Sequence, residues 1–135
     1  MMQSPPRARG TERVLVVDDE APVRAVVRVM LERLGYRVLE AENGAEALGI
    51  LETSMDRIDL ILTDLVMPEL HGGDLGESVM ASESPHRVLY MSGYTGDEIT
   101  RRGLAQDDMT LLKKPFTPDA LARAVREMLD SGPSR

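Results

Sequence analysis

The stretch "VLVVDDE", residues 14–20, carries an unbroken apolar run straight into three carboxylates, Asp18, Asp19 and Glu20. Like charges crowded together repel, and water, a partner or a cation must offset the repulsion. Solvation at a strand end is the plain reading. The chemical reading is an oxygen-rich site for a divalent metal. Three more polar groups close apolar runs further along: Asp64 in "ILTDL", Ser92 in "YMSGYT" and Lys114 in "LLKKPF". Taken singly, each has a structural explanation. An aspartate at a strand end is a turn or cap residue, and a serine before glycine is turn chemistry. A lysine beside a proline is a solvated surface group. As a set they offer carboxylates for a metal, a hydroxyl donor and an ammonium.

For these groups to act together, the elements before them must end at one place. Short apolar runs read as strands over Arg13 to Asp18, Arg37 to Glu40, Asp59 to Thr63, Arg87 to Met91 and Thr110 to Leu112. Between them, Val23, Val27, Met30, Leu31 and Leu34 share one helical face, as do Ala47, Leu48, Leu51 and Met55. Gly35 closes the first helix. The last helix is marked by Thr117 as N-cap, Pro118 at its first position and a stripe of Leu121, Val125, Met128 and Leu129. Helices near residues 73–82 and 95–104 carry a weaker signal, because Gly76, Gly96 and Gly103 lower their propensity.

Five βα units in succession predict a doubly wound α/β domain, a parallel sheet with helices on both faces and right-handed crossovers. "VLVVDD" and "ILTDL" are apolar on both faces, as central parallel strands are. In such sheets ligands bind beyond the carboxyl ends of the strands. Asp18, Asp19, Asp64, Ser92 and Lys114 then all fall at one edge.

Composition narrows the function classes. At 135 residues with 42% hydrophobic content, the chain reads as one soluble domain able to bury a core. A net charge of −7 argues against nucleic acid, whose phosphates call for Lys and Arg. No apolar run approaches the roughly 18 residues of a membrane span, so no membrane contact is expected. The absence of cysteine excludes thiolate chemistry and points to a cytoplasmic location. Residues 1–12, rich in Pro, Arg, Ser and Gly, read as a disordered leader or linker, 13–131 as the domain and 132–135 as a tail. His71 and His86, the two histidines, fall in loop regions and read as surface residues.

"VVDDE", "ILTDLVMP", "YMSGYT" and "LLKKPF", in that order and spacing, resemble the receiver domain of two-component response regulators over residues 12–131. The variant "MSGYT" and the leader "GTERVLVVDDE" are most similar to receivers attached to hybrid sensor histidine kinases. The resemblance implies a five-stranded flavodoxin-like sheet of order 2-1-3-4-5 with five helices. It implies Asp64 as the phosphoacceptor, with Mg²⁺ bound directly by Asp19, Asp64 and the Val66 backbone carbonyl and through water by Asp18; Glu20 is peripheral. Lys114 would pair with Asp64 when no phosphoryl group is present and reach a phosphoryl oxygen when one is. Ser92 would donate its hydroxyl to another. A cis Lys114–Pro115 bond belongs to the same pattern, and Pro68 to the loop beside the acceptor. The implied partner is a histidine kinase or histidine phosphotransfer domain; oligomeric state is not legible.

Two features depart from or refine that pattern. Leu111 stands where many receivers carry an aromatic side chain that turns inward, so output through the neighbouring helix and strand is expected to be weak or differently built. Val66 and Tyr94, two positions beyond Asp64 and Ser92, would crowd the attacking water and slow self-dephosphorylation; Gly93 works the other way. Two other functions compete. A haloacid-dehalogenase-like phosphatase also uses an Asp nucleophile and Mg²⁺ after its first strand, but wants a second Asp two residues on, where this chain has Glu20. A receiver-like binding module that is never phosphorylated is the other.

Overall fold

The computed structural model describes residues 10–54, 57–65, 87–102 and 110–130. In chain order the elements are β1 (Arg13–Val17), α1 (Ala21–Arg33), β2 (Arg37–Ala41), α2 (Gly44–Thr53), β3 (Leu60–Asp64), β4 (Arg87–Ser92), α3 (Gly96–Arg101), β5 (Leu111–Lys113) and α4 (Pro118–Asp130). The five strands form one parallel sheet ordered β2-β1-β3-β4-β5. That is the flavodoxin-like order. Four helices are present among the described residues; the helix expected near 73–82 lies outside them, as do Met55, residues 66–86 and residues 103–109.

The all-apolar strands settle at the centre of the sheet because both of their faces must be covered. In β1, Val14 and Val16 face α1 and α4, packing with Val27, Leu31, Leu34, Leu121, Ala122 and Val125. Leu15 and Val17 face the other way, with Ala41, Ala47, Ile58 and Ile61, partly covered by Leu48 and Leu51. The same alternation in β3 splits Leu60 and Leu62 from Ile61. A third cluster, Leu65, Tyr90 and Ile99, lies beneath α3. Fully burying each such Val, Ile or Leu is worth about 1.5–3 kcal/mol, and this term holds the layers together.

Local signals end the helices where the sequence indicates. The Tyr36 N–H donates to the Leu31 carbonyl and the Gly35 N–H to the Glu32 carbonyl, a Schellman arrangement with Gly35 at φ +97°. A Cβ at Gly35 would also come within 2.5 Å of the Gly10 carbonyl oxygen, so the position is closed to other residues twice over. Thr117 Oγ1 accepts the Ala120 N–H at 3.0 Å and caps α4. Thr95 and Glu98 form a reciprocal capping box on α3. Before β1 the chain already lies against the domain: the Gly10 N–H donates to the Leu34 carbonyl, and Glu12 makes a two-pronged ion pair with Arg126 on α4.

Seven of the ten strand ends differ by one residue from the sequence expectation, and three of the shifts have a visible reason. Asp18 leaves β1 because its carboxylate turns to accept the Glu20 N–H. Asp59 precedes β3, where its carboxylate accepts the Arg13 N–H at 2.9 Å. Lys113 replaces Thr110 in β5 because the register pairs it with Ser92.

Candidate functional site

Strand register builds the site. Val17 pairs with Thr63, Asp64 with Met91, and Ser92 with Lys113, so β1, β3, β4 and β5 end in step at one edge. The Lys114 N–H then donates to the Ser92 carbonyl at 2.8 Å, tying the lysine to the serine's strand, and the Lys114–Pro115 bond that follows is cis. Asp18 and Asp19 follow β1 directly, and Asp64 closes β3.

Asp18, Asp19 and Asp64 each bring a carboxylate oxygen within 4.8 Å of the others. Their settings differ sharply. Asp18 is completely buried, Asp64 half-buried and Asp19 exposed. Every polar atom of Asp18 is engaged: its N–H with the Ala41 carbonyl, its carbonyl with Arg24 Nη1, Oδ1 with the Glu20 N–H and Oδ2 with Lys114 Nζ. A buried carboxylate held this way is tolerable; without those donors it would not be. Glu20 itself is exposed and contributes its N–H, not its carboxylate.

Lys114 Nζ lies 3.2 Å from Asp18 Oδ2 and 3.6 Å from Asp64 Oδ2. It therefore bridges the two carboxylates and sits nearer Asp18, where the resemblance pairs it with Asp64. The buried charge has the greater need of a counter-charge, since water cannot reach it. Ser92 is buried, and its Oγ accepts the Tyr94 N–H at 3.0 Å. Among the described residues its hydroxyl donates no hydrogen bond, so the proton is left for a ligand. A buried donor with no use in the fold is an observation that calls for a ligand. The Tyr94 ring stands under the Arg102 guanidinium, 4.6 Å from the ring centroid.

The donor set suits a hard cation. All three side chains offer oxygen, two of them reachable by solvent, and nothing softer is at hand; that is the chemistry of Mg²⁺ and its relatives. Val66, assigned a backbone ligand by the resemblance, lies outside the described residues, as do Pro68, His71 and His86.

The sequence reading missed Arg24 and Glu40. Arg24 Nε donates to Glu40 Oε1 at 3.0 Å while its Nη1 holds the Asp18 carbonyl, and Arg28 Nη1 grips Glu40 Oε2 at 2.6 Å. These contacts hold the Glu40 carboxyl below the usual glutamate range; the Arg28 hydrogen bond is the largest cause, burial opposes it, and Arg24 adds to it. The signal available was an arginine pair at i,i+4 on α1 with a lone glutamate near the end of β2.

Residues 14–126 match the family described as response regulator receiver domain. The chain belongs to that family. It is 36% identical over 121 residues to the sensor kinase CckA of Brucella abortus, covering 90% of this chain and 13% of that protein. Over 122 residues it is 36% identical to the chemotaxis protein CheY1 of Helicobacter pylori, covering 87% and 96% respectively. The crystal structure of the receiver domain of the hybrid histidine kinase CckA superimposes with a TM-score of 0.72 at 35% identity, over 87% of this chain and 99% of that one. The chain thus spans a small part of the sensor kinase, and 45% and 48% of two matched transcriptional regulators, while nearly filling CheY1. The receiver fold is shared across these different contexts.

Among the described residues no helix is long and apolar enough to cross a membrane.

Proposed function

We propose that this receiver domain accepts a phosphoryl group on Asp64 from the phosphohistidine of a histidine kinase or histidine phosphotransfer domain, and later releases it by slow hydrolysis. The observation that carries the proposal is the meeting of three carboxylates, one ammonium and one buried hydroxyl with an unspent proton at the strand ends.

A carboxylate and a phosphoryl group repel, so the site must gather positive charge around the transferring group. Asp64 is the acceptor: its Oδ–P bond forms as the donor's N–P bond breaks, and the electron pair leaves on the imidazole nitrogen. Lys114 Nζ, already 3.6 Å from Asp64 Oδ2, is placed to exchange that contact for a phosphoryl oxygen. Ser92 donates its hydroxyl proton to a second oxygen. Asp19 and Asp64 would hold Mg²⁺ directly and Asp18 through water, and the bound ion would supply charge neutralisation at the phosphoryl oxygens. In the hydrolysis that follows, water attacks phosphorus, the P–Oδ bond breaks and the carboxylate returns; Tyr94, beside Ser92, restricts the approach of that water.

The phosphatase alternative requires Asp18 as the nucleophile. Its complete burial and the donors on both carboxylate oxygens speak against it. A negatively charged chain free of cysteine fits a cytoplasmic domain that works through protein contacts and not on nucleic acid. The test is incubation with a small-molecule phosphodonor and Mg²⁺, followed by intact mass. One phosphoryl group on the wild type, absent in Asp64→Asn and in the presence of chelator, is the expected result. Equal labelling of Asp64→Asn, or none of the wild type, would reject the assignment.

A further inference from the structure

We infer that Arg24 is a positioning residue for the acidic site: anchored from β2 by the Glu40 carboxylate, its guanidinium holds the Asp18 carbonyl from α1 and so fixes the Asp18–Asp19 peptide and thereby the aim of the Asp19 carboxylate. The inference rests on the phosphoacceptor reading and extends it to a residue outside the reacting groups.

The Asp18 carbonyl lies just past the end of β1, where ladder hydrogen bonds stop, in a residue with no solvent exposure. An acceptor there needs a donor from elsewhere. Arg24 Nη1 supplies it at 2.7 Å, and among the described residues no other group does. The guanidinium is itself held: Nε donates to Glu40 Oε1 at 3.0 Å, and its own backbone N–H donates to the Glu20 carbonyl at 3.0 Å. Glu40 is fixed in turn by Arg28, and Arg28 by Glu32. A chain of hydrogen-bonded contacts therefore runs from β2 through α1 to the peptide that precedes Asp19.

The planar fork serves the carbonyl from Nη1 and the carboxylate from Nε, two nitrogens held at a fixed spacing, which a single ammonium on a flexible stem does not reproduce. Electrostatics accounts for its pairing with Glu40 but not for its approach to the acidic site. A second cation beside a site for a divalent metal weakens metal binding through repulsion. What Arg24 contributes against that repulsion is geometry, in the way outer-shell partners orient metal ligands generally.

The opposing signs make the test decisive. Mg²⁺ affinity is measured by amide chemical-shift titration on wild type, Arg24→Gln, Arg24→Lys and Glu40→Gln, with urea unfolding run in parallel. Positioning predicts that Arg24→Gln and Arg24→Lys both lose about tenfold in Mg²⁺ affinity, at the low end for outer-shell partners. Glu40→Gln, which keeps Arg24 but loosens its anchor, loses less in the same direction. Amides of Leu15, Leu62 and Leu89 keep their shifts. Unchanged or tighter Mg²⁺ binding by a folded Arg24→Gln would overturn the inference, as would wild-type affinity in Arg24→Lys. Should Arg24→Gln fail to fold, Arg24→Lys decides, because it keeps the charge: a loss of Mg²⁺ affinity supports positioning and wild-type affinity rejects it. Failure of the underlying reading looks different, because then the wild type itself binds no Mg²⁺ or takes no phosphoryl group.

Discussion

Lys114→Met removes the amine that bridges Asp18 and Asp64 while keeping most of the side chain's bulk. Asp18 Oδ1 retains the Glu20 N–H, but Oδ2 loses its cation at 3.2 Å in a place water does not reach. Asp64, 3.6 Å from the same amine, loses a counter-charge as well and now faces Asp18 and Asp19 without one from this lysine. Removing one partner of a buried ion pair costs roughly 3–5 kcal/mol. Because the lysine side chain is 21% exposed, water can enter the space it leaves, so the lower figure of about 3 kcal/mol applies. For a chain of this size that is a fall in Tm of roughly 10 °C. Urea unfolding in chelator measures it directly. Repeating the titration with excess Mg²⁺ should narrow the gap between variant and wild type, since a site with one cation fewer binds the metal more tightly. Adding Asp18→Asn removes the buried charge that needed the lysine, and the double-mutant cycle should show a coupling of about 2 kcal/mol. Equal stability of Lys114→Met and wild type without metal would refute the reasoning, and so would additive single losses.

Three other outcomes are expected. The Glu12 carboxyl is held below its ordinary value of 4.5, chiefly by the Arg126 hydrogen bond, so the pair's contribution is complete above that value and is lost as pH falls through the lowered one; Glu12→Gln should cost about 1 kcal/mol at neutral pH and flatten this acid limb in pH-dependent urea titrations. Tyr94→Ala should shorten the lifetime of the phosphorylated form several-fold when decay is followed by intact mass, and an unchanged rate would remove Tyr94 from the account of slow hydrolysis. Leu111 is already 41% exposed and has no polar tip to exchange between states, so a phosphoryl mimic should produce no large discrete shift through Leu111 and residues 95–102; a rearrangement there, mapped by amide shifts, would contradict it.

Much of this architecture is written in local pattern. β1 and β3 announce themselves as central strands because nothing in "VLVV" or "LIL" can face water, and α4 is announced by Thr117, Pro118 and a stripe of four apolar residues. Once the strands are known to be parallel, the rule that ligands bind beyond their carboxyl ends is enough to bring Asp18, Asp19, Asp64, Ser92 and Lys114 together. What local pattern lacks is the third dimension of burial. The resemblance pairs Lys114 with Asp64; the complete burial of Asp18 explains why the amine leans toward Asp18 instead. Arg24 reads as one more charged residue on an amphipathic helix until the orphan carbonyl of Asp18 is seen beneath it. Two of the strand ends move by one residue because a side chain, Asp18 or Asp59, takes a backbone N–H as its partner.

The shared cation is most directly tested by titrating Mn²⁺ into the isotopically labelled chain and reading paramagnetic broadening of the amides. One saturable equivalent should broaden Asp19, Leu65 and Ser92 first, be displaced by Mg²⁺, and vanish in Asp19→Asn and Asp64→Asn. Broadening that never saturates, or that survives both substitutions, would mean that the strand ends of β1 and β3 do not hold a metal between them.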